Sequence, residues 1–196
     1  MKGDNDWSVW WDARNAALVS TFGVMDDLVG HAAVPFEMGA QLGGGADVVC
    51  FKHYVRGAVY VTAELIGRDN QIRNELGNYE LAICHRAEED GRWGKSLISK
   101  LSYYTLDAEM KPNETMSLGP SVPKGSTIAA FLFLEFGRFR VCDKDAGVLL
   151  CQGITADELA LCRAGRQKDV ELALKKNGIY PFTDLFRPSV IGMDRA

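Results

Sequence analysis

The segment from Thr127 to Phe136, TIAAFLFLEF, constrains this chain more than any other. It is almost entirely apolar, rich in β-favouring aromatics, and bounded by a Pro- and Gly-containing loop and by Gly137. Such a run reads as a central strand covered on both faces, because a strand with one wet face would alternate apolar and polar residues. Its neighbours must therefore bury it. Glu135 interrupts the run, which is far below the ~20 residues that a membrane-crossing helix needs. With 196 residues, 47% of them hydrophobic, the chain can build one sizeable core and is short for two full domains.

The pattern on either side decides the class. Val59, Val61, Ala63 and Leu65 alternate with Tyr60, Thr62 and Glu64, which predicts a strand packed on one side, and Tyr79, Leu81 and Ile83 repeat the period of two. The period then changes. Leu97, Ile98, Leu101, Tyr104, Thr105 and Ala108 lie three, four or seven apart and predict a single helix. Arg138–Cys142 and Gly147–Cys151 read as two further strands, joined by a polar turn at Asp143-Lys144-Asp145-Ala146. At Thr155, Thr-Ala-Asp-Glu offers a capping box with Glu158. A helix should start there and end at Gly165, and another should run from Lys168 to Lys176 before Gly178. Near the N-terminus, Asp6 can cap a helix carrying Trp7, Trp10, Trp11 and Leu18, and the Gly43-Gly44-Gly45 run separates it from the strands. Strands and helices come in blocks, so the expected fold is α+β, a single domain with a mostly antiparallel or mixed sheet packed by helices. Residues 1–46 are expected as a helical segment packed on the domain that 47–196 forms.

Charge and cysteine content narrow the function classes. A formal charge of −4 and a pI near 5.4 disfavour a broad grip on nucleic acid, which needs clustered excess Lys and Arg. Cys50, Cys84, Cys142, Cys151 and Cys162 form an odd set without CxxC spacing, which fits free thiols in the cytoplasm. The N-terminal MKGDNDWSVWWDARN has acidic residues and no unbroken apolar stretch, so no signal peptide is expected. Neither is membrane association.

Three motifs invite a chemical reading. Gly94-Lys95-Ser96 follows a predicted strand and opens a predicted helix, as a phosphate-binding loop would. The full pattern wants glycine five residues before Gly94, where Glu89 stands, and Glu88, Glu89 and Asp90 would repel a triphosphate. Cys84-His85 could pair as thiolate and base, but neighbours on a strand face opposite sides. His31, His53 and His85 lack metal-ligand spacing, so neither a metal nor a cofactor is expected. The tryptophan stripe reads more readily as a helix docked on its own core than as a partner anchor. The acidic runs read first as solvated loops.

Five ordered segments carry a resemblance: GAVYVTAELIG (57–67), GNYELAICHR (77–86), SLISKLSYYTL (96–106), CQGITADEL (151–159) and GIYPFTDLFRPSVI (178–191). Together they resemble the suppressor-of-fused domain over about two thirds of the chain, and residues 1–46 match less clearly. The resemblance implies an α+β domain that recognises proteins and brings no catalytic residue set. In the animal relative a second domain helps to clamp a transcription-factor peptide. The sequence stops shortly after Arg187, so that clamp is not expected here. Stand-alone bacterial domains of this kind are proposed as immunity proteins, which makes a secreted toxin the specific partner expected. Contact residues are expected in the polar loop at Glu88, Glu89, Asp90 and Arg92, since loops carry function more often than scaffolds do. Tyr180, Phe182, Asp184 and Arg187 are the alternative contact set, with pinning the tail to the sheet the favoured reading of them. Two alternatives stay open: a nucleotide- or small-molecule-binding enzyme using Gly94, Lys95 and Ser96, and an adaptor that adds a partner strand to an open sheet edge. Oligomeric state is not legible in the sequence.

Overall fold

The apolar run becomes the first part of a longer strand of 14 residues. The computed structural model describes residues 4–27, 29–89 and 91–192, with side chains from Ser8 onward. A long helix α1 (Asp4–Phe22) leads through two 3-10 turns to strands β1 (Val48–Phe51), β2 (Gly57–Thr62) and β3 (Asn78–Arg86). Helices α2 (Arg92–Leu101) and α3 (Tyr104–Asp107) follow, then β4 (Thr115–Ser117), the long hairpin strands β5 (Ile128–Val141) and β6 (Lys144–Thr155), and helices α4 (Ala156–Arg163) and α5 (Gln167–Lys176). The six strands form one sheet in the order β1-β2-β3-β6-β5-β4. Only β3 and β6 run parallel, so the sheet is mixed and the described residues form one α+β domain.

Both faces of the sheet are buried. Leu18 and Phe22 of α1, with Leu159, Val170 and Leu174 of α4 and α5, cover one face, where they meet Val59, Val61, Ala82, Cys84, Leu132 and Leu150. Ile98 of α2 covers the other with Phe36 and Met110, over Tyr79, Leu81, Ile83, Phe131, Phe133 and Leu149. The alternation in β3 therefore separates two apolar layers and not core from water, and every β3 residue but Arg86 is buried. Ala82 and Cys84 are small enough to pack beneath helices. Glu80, also on β3, is 0% exposed because Thr62 Oγ1 and the N–H groups of Leu65 and Ile66 all donate to its carboxylate.

Several boundaries differ from the sequence expectation: the strand expected over 59–65 runs from Gly57 and stops at Thr62, and the one expected over 147–151 runs from Lys144 to Thr155. The predicted 97–108 helix starts five residues earlier and breaks at Ser102-Tyr103. There Ser102 Oγ donates to the Ser99 carbonyl, and Tyr103 O–H reaches the Phe36 carbonyl while its ring stacks on Phe36. Arg138–Val141 is not a separate strand but the continuation of β5 across an irregularity between Glu135 and Gly137. Gly137 eases the approach of α1, since a Cβ there would lie 3.1 Å from Thr21 Cγ2 and that side chain would have to give by a few tenths of an ångström. The hairpin turn is Cys142-Asp143 and not 143–146, with φ of 46° and 62°, the positive pair that a two-residue turn needs to follow strand twist. Helix α1 begins at Asp4, two residues before the expected Asp6 cap. At the other end of the chain the capping box of Thr155 and Glu158 forms as expected.

Candidate interaction site

The loop singled out from sequence joins β3 to α2, and its residues divide by role. Glu89 is half-buried: its Oε2 accepts the Arg86 N–H at 2.9 Å and lies 3.4 Å from His85 Nδ1. Burial raises the Glu89 pKa, but the hydrogen bonds from His85 and the Arg86 N–H outweigh it and hold the carboxyl below its ordinary value. Glu89 thus shapes the turn. Glu88 is exposed on it, Arg92 is exposed but opens helix α2 and does not belong to the loop, and Asp90 lies outside the described residues.

Gly94, Lys95 and Ser96 do not form a loop. All three sit within the first two turns of α2, and Gly94 has a packing reason: a Cβ there would fall 2.1 Å from His85 Nε2. The helix can press against β3 only where that side chain is missing. Lys95 instead extends over the Tyr60 ring, 5.2 Å from its centroid. Cys84 and His85 diverge as strand neighbours should. Cys84 faces the α1/α4/α5 layer, where burial and the nearby Cys151 push its thiol far above the ordinary value, and His85 faces α2. No His, Cys, Asp or Glu trio that could hold a metal comes together among the described residues.

The C-terminal residues fasten the tail. Phe182 bridges to Cys84 beside β3, Thr183 donates its N–H to the Cys84 carbonyl, and its Oγ1 accepts the Gly153 N–H. Arg187, 2% exposed, holds both oxygens of Glu158 at 2.7 and 2.6 Å. Asp184 caps the Phe186 N–H, and Tyr180 packs against the core. Of the tryptophans, Trp10 lies over Gly67 beside Ile66, Val141 and Ala146, and Trp11 sits 4.2 Å from the Arg14 guanidinium. The Trp7 side chain falls outside the described residues.

Sequence reasoning missed a cleft of about 470 Å³ between α2 and the loops that carry His31 and the 43–45 glycines. Arg92, Lys95, Ser96, Ser99 and Lys100 form its helical wall. At about 100° per residue these positions span an arc of roughly 140° on one side of a helix. That spacing was legible; the opposite wall, some sixty residues earlier, was not. The segment beside the cleft also occupies the outer edge of β1, where Gly30 and Val48 exchange backbone hydrogen bonds and Asp26 N–H reaches the Cys50 carbonyl. That edge is therefore covered by the chain itself at these positions. No helix among the described residues is long and apolar enough to cross a membrane.

No family model matches the sequence, and no curated protein does. Solved structures do. A protein from Neisseria gonorrhoeae FA 1090 described as a suppressor-of-fused homologue matches with a TM-score of 0.59 and 17% identity, over 93% of this chain and 97% of that one. The chain seen in a Sufu–Fu complex matches with a TM-score of 0.66 and 12% identity, over 92% and 90%. Drosophila Suppressor of Fused gives 0.60 and 12% over 92% of this chain and 50% of that one, so this chain spans half the Drosophila protein's length. At these identities the correspondence is one of architecture: the chain has the fold of the suppressor-of-fused homologues.

Proposed function

We propose that this chain is a protein-binding domain and acts without catalysis. The observation that carries this reading is the fold match over 92% of the chain to a protein solved together with its protein partner, Fu. The finer reading is neutralisation of a secreted toxin in the cytoplasm, with the exposed Glu88 and Arg92 beside Glu89 and Asp90 at the contact. An inhibitor of that kind works by covering the toxin's active site, and surface charge speeds the encounter.

Affinity capture of the tagged chain from its native cells, followed by reconstitution with the purified candidate, tests the reading. A stoichiometric complex supports protein binding, and loss of a toxic activity on binding supports neutralisation. Failure to reconstitute any complex, together with a metabolite retained by the purified chain, would overturn both. The nucleotide alternative has its own test: a thermal shift with ATP or GTP that disappears in Lys95→Ala.

A further inference from the structure

The chain is acidic overall, with a net charge of −4, yet the charged side chains lining its α2 cleft among the described residues are cationic. Arg92, Lys95 and Lys100 converge there with His31, and no Asp or Glu belongs to that described lining. The Lys95 ammonium rests over an aromatic ring and not on a carboxylate. Asp47, behind His31, is engaged by His31 Nδ1 at 2.6 Å and by the Ala32 N–H. Like charges gathered in a cleft with low-dielectric walls focus a field that an anionic ligand relieves.

Two observations decide what kind of anion fits. Phosphate cradles are built from backbone N–H groups aimed at one point, but the 43–45 glycines spend theirs on the carbonyls of Ala40, Gly39 and Val34. What remains is a row of side-chain cations. The cleft is also elongated: a neighbouring one of about 360 Å³ shares Gly30, Val48 and Lys95 with it and continues along the outer side of β1, where Asp26 and Lys52 form an ion pair, so Lys95 and Lys100 mark its cationic end. A strand cannot be added at Val48, where Gly30 already pairs, so recognition there falls to side chains.

We propose that this groove seats an acidic, extended segment of the protein partner, whose carboxylates meet Lys95 and Lys100. The inference rests on the protein-binding reading and names the chemistry of the partner's contacting segment. Fluorescently labelled hexaglutamate, titrated with the full chain at low salt, is the probe. It should bind saturably, and Lys95→Glu/Lys100→Glu should weaken it at least tenfold while Lys168→Glu on α5 leaves it unchanged. Lys95→Gln/Lys100→Gln serves if the reversed pair does not fold, and it should weaken binding in the same direction. No saturable binding, equal binding of hexalysine, or equal affinity in the double variants overturns the proposal. Displacement by equimolar pyrophosphate overturns it too, and assigns the site to a small anion. A partner captured equally well by the wild type and the double variant sinks this inference and leaves the protein-binding reading standing. Peptide binding that follows Lys95 and Lys100 supports the acidic-segment chemistry of the groove by itself, and the protein-binding reading falls only where reconstitution fails and the purified chain retains a metabolite.

Discussion

Gly94 and Arg187 fix the packing around them in opposite ways. Gly94 is required because His85 Nε2 occupies the place of its Cβ. Backbone freedom is not the reason, since it sits inside α2. Gly94→Ala should therefore destabilise the fold by about 1–3 kcal/mol, the range for overpacking a filled interior, although alanine is the better helix former. Urea unfolding measures this. Adding His85→Ala should recover part of the loss, whereas additive losses in the double variant would show that the contact is not the cause. Arg187 makes the opposite case. Its guanidinium and Glu158 are both fully buried, and Glu158 also accepts the N–H groups of Thr155 and Val190. Arg187→Met should cost roughly 3–5 kcal/mol, because it strands a buried carboxylate. Glu158→Leu with Arg187→Met should cost less than the two single losses summed. A sum that is simply additive in denaturant titrations would mean that the pair is not coupled.

At the scale of elements, α1 brings a buried charge, Arg14, to the sheet as well as Leu18 and Phe22. Arg14, 0% exposed, faces the field of Glu80 from inside the protein. Burial lowers the Arg14 pKa and the Glu80 charge opposes that shift, while burial raises the Glu80 pKa and Arg14 opposes it. A carboxyl whose folded pKa is raised binds more protons in the folded state, so its contribution to stability falls as pH rises through the window above its unfolded value. Removing the cation should raise the Glu80 pKa further. Arg14→Ala is expected to lose about 3–5 kcal/mol at neutral pH and to regain part of it relative to wild type as the pH is lowered toward 5. Thermal melts from pH 8 to pH 5 check the sign: a penalty that grows on acidification would rule out Glu80 as the cause. Elements were legible in the sequence where local chemistry sets them. The Thr155 capping box, Gly165 and Gly178 act within one helical turn, and each stands where expected. The break at Ser102-Tyr103 was not legible, because the tyrosine hydroxyl is drawn to a carbonyl 67 residues away. Nor was the second buried face of β3, since Ala82 and Cys84 take their burial from α1, α4 and α5, all far away in sequence.

The whole molecule sets limits on what composition could say. A net charge of −4 is a sum, and it hides a cleft whose walls come from separate stretches of chain; only folding brings Lys95 and Lys100 opposite His31. The expected boundary at residue 47 raises the same issue of long-range dependence. Leu18 and Phe22, 0% and 1% exposed, belong to the same apolar layer as Val61, Leu132 and Leu174, and Phe22 stacks on Phe136 with ring centres 5.3 Å apart. Deleting residues 1–46 would uncover that layer, remove the buried Arg14 charge and remove the Gly30 pairing from β1. Losing two such large side chains alone costs about 4–10 kcal/mol at the usual 2–5 kcal/mol for each, comparable to the 5–15 kcal/mol that holds a domain together. The 47–196 fragment is therefore expected to lack a cooperative thermal transition, and the full chain to unfold in one step by both far- and near-ultraviolet circular dichroism. A fragment that melts cooperatively close to the full chain's midpoint would make 47–196 an independent unit and α1 an accessory to it.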